Sequence, residues 1–524
     1  MRFFALALLT LTLANAQSFR AGAAQSDITP TWFPVTVNCF MTERQSSEVI
    51  APIFAKAIVL ENGLTKLAIV VVDSCMLPRE LIDQTKALVQ EATGIDSSHQ
   101  LISATHTHMA PAAMACLGSD ADARYAAWLP ARIAQAIIDA NKNLQPAQAG
   151  ASKIDDYEHT FNRRFIYRPD KMLTDPFGVK SVRANMHPGY QNPDAIGPSG
   201  PVDPALTVLA IQTLAGKPIA VLANYSMHYF DSKPISPDYF GIFEKQFAKR
   251  VNAPIVLLSQ GTAGDLMWMD YSKPKREGLT IEQYTEGLVN AAERAYKTIT
   301  YDSSPSLAME ETERGFNRRV PLPSRLGKWK GGKPKNQVEV YQREQDLVAA
   351  EPHRDLKLQA LRIGPLAIAA WPNEVFAISG LKLKEQSPFP LTMNISLANG
   401  AEGYIPPPEQ HALGGYTTWL ARSASLEVDA EPRILGSLLD LIDRLDPSLP
   451  TPHKSVPLPP APSPTGPSTI SIAAVSASTA TSPSPSPAKT VPAAGLSTSP
   501  AANSPCPSPK NSPPTKSISG SGPA

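Results

Sequence analysis

Two of the chain's nine histidines stand one residue apart where an apolar run ends, in Ser103-Ala104-Thr105-His106-Thr107-His108. Two imidazoles at that spacing can share a metal ion, or one can ligate while the other faces a substrate. On an extended strand residues i and i+2 project to one face, so the two rings would stand side by side. Ser103 and Thr105 would add hydroxyls to hold the rings. A His-x-His pair by itself also marks two polar residues where a strand meets solvent. Other polar groups stand just past apolar runs: Asp73 after LAIVVV, His228 after IAVLANYSM, Asp265 after IVLLSQGTAG and Glu374 after LAIAAWPN. Polar groups repeated past strand ends are what the active-site edge of an α/β sheet presents. Nucleophile chemistry has weaker support. No Gly-x-Ser-x-Gly elbow, lysine-bearing phosphate loop or dinucleotide fingerprint is present. Gly261 and Gly264 in SQGTAGD read as a strand-exit turn where backbone approaches a ligand.

Those residues need a sheet to hold them. FAKAIVLENG and LAIVVVDS are rich in β-branched residues and are joined by a turn signal at Asn62-Gly63. PRELIDQTKALVQEATG follows with helical spacing of Leu81, Ile82, Leu88 and Val89 and a closing Gly94. HQLISATHTH reads as strand, and RYAAWLPARIAQAIIDANKNL as helix in spite of Pro130. The alternation returns at PIAVLANYSMH, EKQFAKRV, APIVLLSQG and EQYTEGLVNAAERAYKTI. LQALRIGPLAIAAWPNE reads as paired strands and RILGSLLDLIDRL as a last helix. This order predicts an α/β fold, one large domain over 17–449 with a mixed sheet flanked by helices. Residues 165–205 and 315–350, rich in Pro, Gly and charge, are expected to be long loops.

MRFFALALLTLTLANAQS has one positive charge, a short apolar run and Ala14-Asn15-Ala16, so residues 1–16 read as a signal peptide. No later run is long enough to span a bilayer, and the expectation is a secreted, periplasmic or extracellular protein. From 450 to 524 the chain is mostly Pro, Ser, Thr and Ala, and residues 451–524 lack aromatic and acidic side chains. Such a segment buries too little apolar surface to offset its ordering entropy, and a disordered tail is expected. The net charge of +1, with no basic stripe interleaved with aromatics, argues against nucleic acid as a partner. Four cysteines without a Cys-x-x-Cys pair give no signal of a cysteine zinc site. An oxidising compartment permits a disulfide among Cys39, Cys75 and Cys116, with the pairing open.

Several dispersed stretches in one order resemble the catalytic domain of the neutral/alkaline (non-lysosomal) ceramidase family. They are AGAAQSDITP (21–30), SATHTH (103–108), FNRR (161–164), ANYSMHYF (223–230), PISPDYFG (234–241), QGTAGD (260–265), WPNEVFAISG (371–380) and LANGAEGYIPPPEQ (397–410). Together they span most of 20–445. The resemblance implies one catalytic Zn2+ per chain, held by His106, His228, Glu374 and Tyr404. It places His108 toward the substrate, Arg163 as the arginine of the family's Asn-Arg motif, and Tyr416 as a second tyrosine near the metal. Asp238 and Asp265 match motif positions without an assigned role. The implied chemistry is attack of activated water on an amide carbonyl. His108, Arg163 or Tyr416 would donate to the oxyanion, and His108 would pass a proton to the leaving amine.

The chain also departs from the family. Met267 stands where Gly-Asp-x-Ser-Pro wording has its serine, which leaves no serine nucleophile there; Ser259 and Thr262 are near in sequence. GGYTTW (414–419) replaces Tyr-Glu-Gly wording, and the tail stands where full-length members carry a C-terminal β-sandwich. Three functions follow: a zinc amidohydrolase of ceramide or a related N-acyl lipid, a zinc hydrolase of a small polar amide or ester, or a non-catalytic binding module. Under the first, Met109, Trp268, Met269 and Trp371 would line an acyl-chain path, and peripheral contact with a membrane stays open.

Overall fold

The computed structural model describes residues 19–450, apart from 38, 232–234, 322–326 and 328. The expected signal peptide and the expected disordered tail lie outside the described residues. Within them the architecture is α/β, with two β-sheets packed face to face and helices on both outer sides.

The larger sheet has eight strands. In spatial order they are Ile255–Gln260, Pro218–Tyr225, Ala205–Thr213, Gln145–Asp155, Arg20–Asp27, Phe54–Asn62, Thr65–Val72 and Gln100–Ala104. Neighbours run antiparallel except at the two edges, where Pro218–Tyr225 pairs with Ile255–Gln260 and Thr65–Val72 with Gln100–Ala104 in parallel. The smaller sheet is Leu307–Asn317, His353–Ile363, Leu366–Ala370 and Leu391–Ile395, its last pair again parallel. A parallel pair needs a crossover, and each has a helix. Arg79–Thr93 and Asp238–Val251 serve the larger sheet, and Ala377–Gln386 the smaller.

Side-chain alternation builds the layers. Along Phe54–Asn62, Ala55, Ala57 and Val59 face the helices Arg79–Thr93 and Ala123–Lys142, while Ile58 and Leu60 face the second sheet. Leu361, Ile363, Ile368 and Met393 meet them from that sheet. Its far side, with Leu358, Ala367 and Ala369, is covered by Ile434, Leu438, Leu441 and Ile442 of the helix Ala430–Leu445. Phe240, Phe243 and Phe247 cover the other end of the larger sheet. Burying one such side chain contributes about 1.5–3 kcal/mol.

Local signals hold where expected. Gly63 (φ 62°) makes the predicted turn, and Gly94 (φ 70°) ends the helix Arg79–Thr93 in the left-handed region. Ala123–Lys142 is helical through Pro130. The loop expectation for 315–350 is corrected. Gln337–Ala350 is a helix, capped by the Asn336 side chain accepting from Glu339 N, with Val340, Tyr341 and Val348 buried. The span 165–205 is also less irregular than expected, with short strands at Arg164–Tyr167, Lys180–Val182, Ala184–Met186 and Ala195–Pro198. The disulfide pairs Cys39 with Cys75, and Cys116 is free. Among the described residues no helix is long and apolar enough to cross a membrane.

Candidate functional site

The three parallel pairs of the two large sheets converge. Beyond the carboxyl ends of their strands lie Cys75 and His106, His228 and Asp265, and Glu374. His106 is not on a strand, which corrects the shared-face expectation. The strand stops at Ala104; Thr105 N then donates to Val72 O and His106 N to Ser74 O, each at 2.9 Å, and His106 turns to φ 72°. His106 and His108 meet through this turn rather than through a strand face. His228 follows Pro218–Tyr225. Glu374 opens a two-residue strand paired in parallel with Tyr404–Ile405, so Glu374 and Tyr404 are register partners.

The hydrogen bonds fix the state of the rings. His106 Nδ1 lies 2.9 Å from Cys75 O, and His228 Nδ1 2.9 Å from Ala263 O. A carbonyl only accepts, so each Nδ1 carries the hydrogen and each Nε2 is left as an acceptor; His228 Nε2 accepts from Arg163 Nη2 at 3.1 Å. Those two Nε2 atoms face one another at 3.0 Å. Glu374 Oε2 lies 3.4 Å from the first and 3.6 Å from the second, and it is buried without a hydrogen-bond partner. Two lone pairs and a carboxylate oxygen turned on one point call for positive charge among them; the Arg163 guanidinium reaches His228 Nε2, and Glu374 Oε2 has no donor among the described residues. A proton is a poor candidate for that role at His228, whose pKa burial and then the Arg163 charge push well below the usual histidine range. The donor set of imidazole nitrogen and carboxylate oxygen suits a zinc-type divalent ion. A cavity of about 10 Å³, close to one water-sized sphere, is lined by His106, His228, Glu374, Gln260 and Ser396.

The other candidates surround this point. His108 Nε2 lies 3.1 Å from His106 Nε2, and one ligand atom from each of His106, His108 and His228 falls within 4.8 Å of the others. The His108 ring stacks on Tyr229 at 3.9 Å. Arg163 is buried, and its Nη2 donates to Gly264 O at 3.0 Å and to Tyr404 Oη at 3.2 Å. The Tyr404 side chain also hydrogen-bonds Glu374, and burial followed by the Glu374 charge raises its pKa well above 10. The Tyr416 ring stands 5.6 Å from that of Tyr404, one ring further out.

Other sequence candidates fall elsewhere. Asp73 is withdrawn: its Oδ2 accepts from Phe54 N at 2.8 Å and pairs with Lys56 Nζ at 3.5 Å, and Lys56 also contacts Glu244. Asp265 supports the site from behind. It accepts from Asn162 Nδ2 at 2.7 Å and from Ala377 N at 2.8 Å, while its carbonyl accepts from Arg163 N. Asp238 (φ 56°) ties the loop after His228 by accepting from Phe230 N and Tyr239 N. Ser259 donates to Ala223 O and Thr262 to Asp203, so both hydroxyls are already engaged. Met267 is buried in a short strand pair against Phe161. Gly261 and Gly264 line the cavity beside His106, His228 and Glu374 and also lie tight against the protein: a Cβ at Gly264 would stand 2.9 Å from Val375 O. Trp371 is fully buried and bonds Asn394, which removes it from any acyl path. Sequence reasoning missed His187. It accepts from Arg163 Nη1 at 3.5 Å through Nε2 and meets Tyr271 Oη at 2.5 Å through Nδ1. A lone histidine in a loop carries no spacing signal.

No protein-family model matches the chain, and no curated protein matches it. Solved structures do. The chain is similar to neutral ceramidase from Pseudomonas aeruginosa, with TM-score 0.62 and 16% identity, over 83% of this chain and 75% of that one. It is also similar to a ceramidase complexed with C2, with TM-score 0.61 and 16% identity, over 84% and 77%. At this identity the likeness establishes the fold: the chain has the fold of the neutral ceramidase structures, in divergent form.

Proposed function

We propose that this protein is a metal-dependent hydrolase acting on the amide bond of an N-acyl lipid of the ceramide class. Its metal is a single zinc held by His106, His228, Glu374 and Tyr404. The observation that carries the reading is the pair of carbonyl-fixed imidazoles whose Nε2 atoms oppose each other at 3.0 Å, with the partnerless Glu374 Oε2 beside them. The fold shared with ceramidase structures supports the substrate class.

A zinc bound there supplies Lewis acidity and an activated water. The remaining work belongs to the chain. Cys75 O and Ala263 O hold the two imidazoles in one tautomer and one orientation. Arg163 keeps its charge aimed inward at the Tyr404 hydroxyl and stands ready to donate to an oxyanion. Burial above all pushes the His108 pKa well below the usual histidine range, so the ring is neutral at rest, and its place beside the cluster lets it relay a proton to the leaving amine. Tyr416 packs edge-on against Tyr404. The absence of a serine at Met267 fits water, rather than a side chain, as the nucleophile.

The test is release of fatty acid from ceramide by zinc-loaded protein and by His108→Ala and Arg163→Ala. Turnover that falls about 100-fold or more in both, with zinc retained, supports the reading. Zinc-loaded protein without amide hydrolysis overturns it. One observation favours a second reading, a small polar amide or ester as substrate: Trp371 packs into the core, and the described groups around His108 and Arg163 include the polar-tipped Tyr229, His187 and Tyr271. Hydrolysis of short-chain amides or esters in preference to ceramide would select it. An exported enzyme with peripheral contact to a lipid surface is consistent with either substrate.

A further inference from the structure

The disulfide lies against the histidine pair. Cys75 stands just past the strand Thr65–Val72, its carbonyl fixes His106, and its Sγ lies 3.6 Å from His106 Nδ1. Cys39 is bonded to it from a loop whose next residue, Phe40, sets its ring edge-on to His108 at 5.8 Å. One ring nitrogen of His108 and the two sulfurs all fall within 4.8 Å of one another. His108 is 8% exposed, and its Nδ1 has no hydrogen-bond partner among the described residues. Disulfide sulfurs are poor donors, but the thiolates they become are strong ligands for soft and borderline cations.

We propose that, when the Cys39–Cys75 bond is reduced, Cys39, Cys75 and His108 form a second metal site for a thiophilic divalent cation such as zinc. The site shares no ligand with the His106–His228–Glu374 cluster and does not depend on that cluster being catalytic. An external dithiol carries out the reduction. The sulfur–sulfur bond breaks, two electrons and two protons pass to the cysteines, and the dithiol leaves as its cyclic disulfide. The cation then displaces both thiol protons to solvent and takes two thiolates and one imidazole nitrogen. A tetrahedral Cys2His site of this kind keeps a fourth position open. Thiolates on such an ion lie about 3.8 Å apart, a separation that side-chain rotation reaches with the Cα atoms 6.9 Å apart. The redox state of one bond thereby decides whether His108 faces a substrate or a cation.

Cobalt reads this directly, because thiolate ligation produces a charge-transfer band in the near ultraviolet that imidazole and carboxylate ligation do not. The parent is the Cys116→Ser/Cys506→Ser double variant, which leaves only the pair in question. Phosphine-reduced parent is expected to bind one cobalt with the band, and oxidised parent to show none. Cys39→Ser and Cys75→Ser should each weaken that binding about tenfold or more, as should His108→Ala or, if it fails to fold, His108→Gln. His106→Ala should keep the band. A reduced parent without the band overturns the proposal, as does unchanged cobalt affinity in the His108 variants. Cobalt bound by the oxidised chain without the band, and lost in His106→Ala, reports on the other cluster separately, so failure of one site is distinguishable from failure of the other.

Discussion

Gly264→Ala tests how Glu374, the proposed carboxylate ligand, is held. A Cβ at Gly264 would stand 2.9 Å from Val375 O, 3.0 Å from Glu374 O and 3.1 Å from Glu374 C, all backbone atoms. Ordinary contact begins at 3.4 Å, so the Glu374–Val375 strand must retreat by about 0.5 Å or the turn at Gly264 must swing away. Neither move is free. Glu374 N is bonded to Gly403 O, Gly264 N to Val375 O, and the Gly264 carbonyl accepts from Arg163. Overpacking of this kind costs about 1–3 kcal/mol. Metal ligation tolerates displacements of only about 0.2 Å, so the retreat should also weaken zinc binding about tenfold or more. Urea denaturation gives the first quantity, and competition against a chromophoric chelator the second. A variant with unchanged midpoint and unchanged zinc affinity would refute the argument that close backbone approach at Gly264 sets the position of Glu374.

Three further outcomes follow from the same reasoning. Gly436, inside the helix Ala430–Leu445, has nothing within 4 Å of an added Cβ, so Gly436→Ala should raise stability by about 0.5–1 kcal/mol in urea melts; a loss would contradict it. Met267→Ser restores the serine of the family wording in a buried strand pair, where it should cost about 2–5 kcal/mol and add no turnover; a gain in hydrolysis would show that a serine can act from there. Burial pushes the Glu244 carboxyl from 4.5 up to about 7 against the opposing charge of Lys56. An acid whose folded pKa is raised stabilises the fold fully below its unfolded value and loses that contribution as pH rises through the folded one. Urea midpoints should therefore fall between about pH 4.5 and pH 7, and Glu244→Gln should flatten that slope; a flat wild-type profile excludes the effect.

The layered sheets were legible because alternation and helical spacing are local. Val59, Val70 and Val72 announce strand faces, and Gly63 and Gly94 announce their own left-handed turns. The convergence of the site was legible only as a set of strand ends, since hydrophobic period says nothing about which ends meet. His106 shows the limit. Its positive φ is imposed by hydrogen bonds from a neighbouring strand exit, with no glycine to signal it. Asp73 looked like a site residue because its partner Lys56 is brought beside it by sheet pairing, which its position in the chain does not disclose. The helix Gln337–Ala350 was hidden by its charges; its buried residues pack on loop residues such as Leu117 and Ala421 rather than on a sheet. His187 and the choice of Cys39 for Cys75 likewise exist only as tertiary contacts.

The central claim is that His106, His228 and Glu374 hold one divalent ion. Anomalous diffraction at the zinc edge, from crystals of zinc-loaded protein, tests it most directly. The account predicts a single strong peak about 2.0–2.2 Å from His106 Nε2, His228 Nε2 and a Glu374 oxygen, with both Nδ1 atoms still on their carbonyls. No peak at that position, or zinc held only at the protein surface, would contradict it.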